Sequence, residues 1–270
     1  MIDRRRVWAV VRKDWLEVAR NSQVMTSLAV VPLVFAAIIP AAVTLLGNSG
    51  ILTSTINGLQ GFLDHVPAGV VPGDYSTEQT VVYTVIVYFM APFFLVIPVM
   101  TASITASSSF VGEKERRTIE GLLYTPLSNR ELVLAKVLGS VIPSVVLTWA
   151  AFTLYTVIVN GLGWRLMGGP FFPTWTWAVL IVVLVPLVGF LATSLIVAVS
   201  GRSSTMQGAQ GSAMFIVFPI LALVAGQATG LMLFDATVAL VAAAVLVVVD
   251  VAAFTFVVAR FHRERIVTRL

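Results

Sequence analysis

The residues of this chain that could do chemistry are few, and they stand out because most of their surroundings are apolar. Hydrophobic side chains make up 58% of the 270 residues and charged ones 11%. The densest charge lies in Glu113–Lys136, EKERRTIEGLLYTPLSNRELVLAK, where eight of the first 19 residues are ionic. Alternating carboxylates and guanidiniums at this spacing suit recognition of a soluble partner, or else a solvated connection. A second candidate is Asp250, the one acid inside a long apolar run. A carboxylate at that depth costs about 2.5–3.5 kcal/mol on insertion scales, so it must face protein or water. It is either a buried polar contact, with Lys136 or with Ser/Thr side chains, or a proton or cation relay. A third is the hydroxyl-rich stretch Thr101–Ser109, TASITASSS. Thr101, Thr105 and Ser108, with Ser212, are candidates to line a polar path; the alternative is close helix packing, which small residues favour.

Other chemistry is excluded by type. No Gly-x-x-x-x-Gly-Lys-Ser/Thr phosphate loop occurs, nor a Gly-x-Ser-x-Gly elbow, nor a His-Glu-x-x-His pair. The two histidines, His65 and His262, fall on opposite sides of the membrane in the layout below and cannot share a metal. With no cysteine there is neither a disulfide framework nor a thiolate ligand. The chain is therefore not read as an enzyme and needs no cofactor or metal of its own. A net charge of +4 and a pI near 9.8 would suit nucleic acid, but the cations are confined to loops and ends and form no basic domain.

These residues must be positioned by membrane helices. A mean hydropathy of +0.96 is too high for an ordinary soluble domain. The pattern predicts an all-α polytopic membrane protein with spans over about 24–46, 77–111, 132–159, 177–200, 212–234 and 236–259. Each apolar run is long enough for a hydrocarbon core of about 30 Å. Residues 1–23 precede them as an amphipathic helix. Trp8, Val11, Trp15 and Val18 form one stripe beside basic residues, the pattern of a helix lying in the membrane interface. A second amphipathic helix carries Leu52, Ile56, Leu59 and Leu63. Pro32, Pro40, Pro92, Pro98, Pro186 and Pro219 should interrupt their spans. Ser76/Gln79 and Ser128/Glu131 read as capping boxes that open spans two and three. Trp164, Phe171, Phe172, Trp175 and Trp177 read as an interfacial belt, and the segment after Gly226 is either re-entrant or a straight continuation. Of the 17 Lys and Arg residues, only Arg165 lies outside when both termini are placed inside.

Within the charged stretch, Glu113–Tyr124 predicts a short amphipathic helix that stops before Pro126. Glu113, Glu115, Thr118, Glu120, Leu122, Leu123, Pro126 and Lys136 also resemble the loop between the second and third spans of type-2 ABC exporter membrane subunits. Arg117 and Ala135 replace two glycines of that pattern, and neither glycine is needed for a helix. The resemblance implies a permease without its own nucleotide site, dimeric with an identical or different subunit. It also implies a separate ABC ATPase that carries ATP and magnesium. The 113–124 coupling helix would meet that ATPase through Glu113, Glu115, Arg116, Arg117, Thr118, Glu120 and Leu123. The resemblance places such a chain in the plasma membrane of a prokaryote. A secondary transporter using Asp250 is the rival, and would call for inverted repeats and further embedded charges.

Overall fold

The computed structural model describes residues 3–48, 71–115, 128–200, 205–229 and 234–260. No strand occurs among them, and six helices are long and apolar enough to cross a bilayer. The protein is an all-α polytopic membrane protein. A lead helix, α1 (Arg4–Arg20), precedes the spans. The spans are α2 (Ser22–Gly47), α3 (Thr77–Glu113), α4 (Arg130–Met167), α5 (Trp175–Ser200), α6 (Met206–Ala228) and α7 (Ala236–Ala259). The amphipathic helix expected around Leu52–Leu63 and the segment around Gly230 lie outside the described residues.

Both expected capping boxes form. Ser76 N donates to Gln79 Oε1 at 2.7 Å and Gln79 N donates to Ser76 Oγ at 3.3 Å. Ser128 N donates to Glu131 Oε2 at 2.8 Å and Glu131 N donates to Ser128 Oγ at 3.3 Å. Each pair satisfies amides that a helix start otherwise leaves open. The third span differs from expectation at its far end: α4 runs to Met167 instead of stopping near Val159. Gly168, at φ 76, then ends it with a left-handed residue. Asn160 gives the reason the chain stays close afterwards. Its Oδ1 accepts from the Phe171 and Phe172 amides at 3.0 and 3.2 Å, and its Nδ2 donates to Phe172 O at 2.6 Å.

α3 is the central post, packed against α4, α5 and α6, while α7 leans mainly on α5. Prolines dictate how α3 is held. A proline donates no backbone hydrogen bond and crowds the carbonyl one turn earlier, so the turn before it widens. π-helical turns at Val34–Ile38, Thr84–Phe89 and Leu180–Leu184 each sit just ahead of Pro40, Pro92 and Pro186. Pro143 and Pro219, by contrast, lie inside continuous α-helix.

In a bilayer the carbonyls freed this way need donors from protein, because no water reaches them. Three successive carbonyls of the α3 π turn each take one from a different helix. Tyr155 Oη donates to Ile86 O at 2.8 Å, Trp177 Nε1 to Val87 O at 2.7 Å and Gln227 Nε2 to Tyr88 O at 3.0 Å. α4, α5 and α6 are thereby tied to one turn of α3. On α5, Trp149 Nε1 donates to Ile181 O at 3.0 Å in the same manner.

This corrects the expected aromatic belt. Trp164 and Trp175 are 55% and 75% exposed and fit it, but Trp177 and Phe172 are buried. Trp177 lies 4.8 Å from Phe172, 5.1 Å from Tyr155 and 5.2 Å from Phe94 between ring centroids, and it turned inward to serve the π turn. Trp177→Phe keeps the ring contacts and removes the donor, leaving Val87 O buried without it. Thermal unfolding in detergent should show a loss of about 1–3 kcal/mol. Gln227→Leu should cost a similar amount, and an unchanged midpoint for both would mean that the carbonyls find other donors.

Candidate functional site

The expected docking segment begins where α3 ends, and at that place the structure holds a closed cluster of charge. The α3 helix carries on through Glu115. Arg116, Arg117, Thr118, Glu120 and Leu123 lie outside the described residues, which resume at Ser128 with the start of α4. Between the two helix ends stand Glu113 and Lys136, only 1% and 2% exposed. Glu113 is thus not offered outward with the rest of the charged stretch, as its sequence position suggests. The helix turns it into the bundle, where Lys136 Nζ lies 2.7 Å from its Oε2.

An ammonium buried this deeply is tolerated only when its remaining donors are used. Lys136 Nζ also donates to Ser109 O at 2.7 Å and Ser109 Oγ at 2.9 Å, and sits 5.4 Å from the Phe110 ring centroid. Ser109 Oγ passes its own hydrogen to Asp14 Oδ2 at 2.6 Å. Asp14 belongs to α1 and is 4% exposed. Lys13, the next residue on α1, closes the far side by a hydrogen bond to Glu113 Oε1, with Glu17 Oε2 at 3.6 Å and Asp14 Oδ1 at 3.7 Å. Burial opposes the Lys13 ammonium. Its hydrogen bond to Glu113 and the charges of Glu113, Asp14 and Glu17 outweigh that and hold its pKa above the usual 10.5. The stabilisation it brings is complete at neutral pH and is lost only as pH rises beyond that ordinary value.

The local sequence explains how α1 comes so close. Val7, Val10 and Val11 pack on Leu132 and Ala135 of α4. This face includes Val11 but not Trp8, so the apolar stripe read from sequence is split: the valines bury against α4 and Trp8 stays 55% exposed. At Gly139 a Cβ would stand 3.4 Å from Asp14 Oδ2 and 3.8 Å from the Val11 Cα, and Trp15 Nε1 donates to Gly139 O at 3.2 Å. The α1 start is fastened as well, since Asp3 N donates to Glu131 Oε1 at 2.8 Å. Glu131 therefore serves the α4 cap and α1 together.

Asp14, Glu17 and Glu113 bring carboxylate oxygens within 4.8 Å of one another, the spacing of a cation site. The two lysine ammoniums supply positive charge among these oxygens.

The other sequence candidates separate from this site. Thr101 Oγ1 donates to Ile97 O at 2.8 Å and lies 3.0 Å from Ser144 Oγ; Thr105 Oγ1 donates to Thr101 O at 2.8 Å. Both are shut between α3 and α4, with Ser144 Oγ donating to Pro98 O at 3.0 Å. Ser108 is buried, and Ser212 Oγ donates to Ala209 O at 2.7 Å. Within one chain these hydroxyls do the work of close packing. Asp250 is 5% exposed, and among the described residues neither of its oxygens has a hydrogen-bond partner. Its suggested pairing with Lys136 does not form, because that ammonium is committed to Glu113, Ser109 and Asp14.

A profile of the ABC-2 family transporter proteins matches residues 8–239. The chain belongs to that family. The match takes in α1 from Trp8 onward, the cluster and all the spans but the body of α7. No curated protein matches the chain. As an ABC-2 family chain it is a membrane-embedded transport subunit, and the charge cluster lies at the end of its bundle where α3 and α4 bracket residues 116–127.

Sequence reading missed Lys13, Asp14 and Ser109 as members of this site. Asp14 was readable in principle, because it lies on the α1 face that carries Val7, Val11 and Val18. An acid on an apolar face needs a buried partner. Lys136→Met removes the central ammonium and leaves Glu113 and Asp14 facing each other with Lys13 alone. Such a change should cost about 3–5 kcal/mol in unfolding measurements. Lys136→Met combined with Glu113→Gln should cost less than Lys136→Met by itself, and additive losses would show that the pair is not coupled.

Proposed function

We propose that this ABC-2 family chain is the permease subunit of an ATP-driven exporter. A dimer of such subunits forms the path, and each engages a separate ABC ATPase that binds ATP and magnesium. The ATPase side is the charged end of the bundle, with both termini cytoplasmic in the plasma membrane of a prokaryote. The side chains left for the ATPase are Glu115, Arg116, Arg117, Thr118 and Glu120, with the apolar Leu123. Glu113 has a different role: it locks the end of α3 to α4 and α1.

One observation carries this reading. The helices on either side of residues 116–127 are joined to each other and to α1 by buried ion pairs. A push on that segment therefore reaches three helices together. A solvated connection would have no use for two charges that are 1% and 2% exposed. Leverage of this kind is what a subunit without its own nucleotide chemistry needs, since the work of closing an ATPase cleft must be delivered to the spans as movement. The rival reading, a secondary transporter, rests on Asp250 alone.

Reversing Glu115 and Glu120 together to Lys tests the docking while Glu113 and Lys136 are kept. Charges at an interface set encounter and specificity, and losing a buried partner costs about 2–5 kcal/mol of binding. The expected result is normal amounts of folded permease, weakened ATPase copurification and lost transport. Exposed charges with no partner tolerate change, so wild-type copurification and transport at normal expression would remove the support for docking at this segment.

A further inference from the structure

The outer face of α1 carries a pattern that coupling does not use. Trp8, Arg12, Leu16 and Arg20 stand four residues apart and form one continuous ridge, alternating apolar and cationic. All four are exposed, Trp8 at 55% and Leu16 at 46%. The ridge runs into an open crevice of about 700 Å³ at the elbow between α1 and α2, lined by Lys13, Leu16, Glu17, Arg20, Asn21 and Ser22. Only Asn21 separates the two helices, and its side chain accepts from Val24 N at 3.2 Å to start α2. A 26-residue apolar span begins at Ser22, and the start of a span is where a chain entering the bilayer passes the headgroups.

Most of the arginines on α1 have no acidic partner among the described residues. Among the described residues Arg4, Arg5, Arg12 and Arg20 have no acidic neighbour in ion-pair reach, whereas Arg6 pairs with Asp3 and Lys13 with the cluster. Glu17, the acid on the crevice wall, has Lys13 at 3.6 Å. Unpaired guanidiniums beside an exposed tryptophan and leucine match a leaflet in which phosphate lies next to acyl chain. A zwitterionic headgroup brings its own cation, which these arginines repel.

We propose that the α1–α2 elbow binds the phosphodiester headgroup of an anionic phospholipid. Arg20 and the outer side of Lys13 take the phosphate, Arg12 follows along the ridge, and Trp8 and Leu16 enter the acyl boundary. The site rests on the interfacial placement of α1. Lys13 also holds Glu113, so an occupied elbow and the coupling cluster share one ammonium.

The test titrates the purified full chain in detergent with phosphatidylglycerol, phosphatidylcholine or inorganic phosphate, counting bound molecules by native mass spectrometry. Wild type should retain phosphatidylglycerol about tenfold better than phosphatidylcholine and should not retain inorganic phosphate. Each ridge arginine contributes about fivefold near an anionic surface, so Arg12→Gln with Arg20→Gln should weaken phosphatidylglycerol binding about 25-fold. Lysine at both positions should restore most of it. The same charge loss at Arg263 and Arg265 is the control and should change little. Equal retention of the two lipids, retention of inorganic phosphate alone, or an equal loss in the control would overturn the site. Brominated phosphatidylcholine in bilayers checks the placement separately: Trp8→Phe should remove the Trp8 share of the quenching and leave that of the other exposed tryptophans, Trp149, Trp164 and Trp175. Quenching without headgroup preference sinks the lipid site only, and no Trp8 quenching sinks the interfacial placement as well.

Discussion

The Lys136 ammonium is the constraint on which this end of the molecule depends. It is buried among apolar helices, and an ammonium there needs oxygen partners on every side. Glu113 and Ser109 of α3 supply most of that, and Asp14 of α1 completes it at 3.6 Å. Meeting the demand requires α1 to lie close against α4, which the valines of α1 reward with burial. Lys13 then offsets the excess of carboxylate. The result is a junction in which the last turn of α3, the first turns of α4 and the middle of α1 meet at one point.

A second demand of the bilayer shapes the other half of the bundle. Proline removes amides, the carbonyls behind it must be satisfied within protein, and Tyr155, Trp177, Gln227 and Trp149 do so from neighbouring helices. The two devices differ in consequence. The charge cluster binds the helices beside residues 116–127 into a unit, while the π-turn contacts fasten α4, α5 and α6 to α3 through single neutral hydrogen bonds. α6 is held at its other end by a similar contact, Gln210 Nε2 to Ser107 Oγ at 2.9 Å. Neutral bonds of this kind are individually worth about 0.5–1.5 kcal/mol. Breaking the ionic junction costs more, so motion delivered to the charged end is expected to spread through the spans before the junction yields.

Much of this was legible in the sequence. The six spans follow from apolar length alone, and the capping boxes at Ser76 and Ser128 appear where their side-chain chemistry places them. The charged stretch begins and ends at the two residues that the buried cluster joins, Glu113 and Lys136, and the family profile agrees with the resemblance that its residues carry. What was not legible depended on partners distant in sequence. Glu113 and Lys136 look like members of a surface run until Asp14, about a hundred residues earlier, is brought beside them. Trp177 reads as an interfacial anchor because hydropathy cannot reveal that Val87 O needs a donor. Val159 looked like the end of a span because Asn160 and Arg165 are polar, whereas Asn160 spends its amide on the Phe171–Phe172 turn.

The central claim is that α1, α3 and α4 move as one body when the transporter works. The chain has no cysteine, so spin labels can be placed singly or in pairs without a background. Labels at Arg12→Cys and Arg130→Cys report the junction, and labels at Arg130→Cys and Phe218→Cys report α4 against α6. Pulsed dipolar distances in the assembled transporter, with and without ATP, decide the matter. The account predicts a narrow, unchanged distance for the first pair and a nucleotide-dependent shift for the second. A first-pair distance that shifts or broadens with nucleotide while the second stays fixed would contradict it.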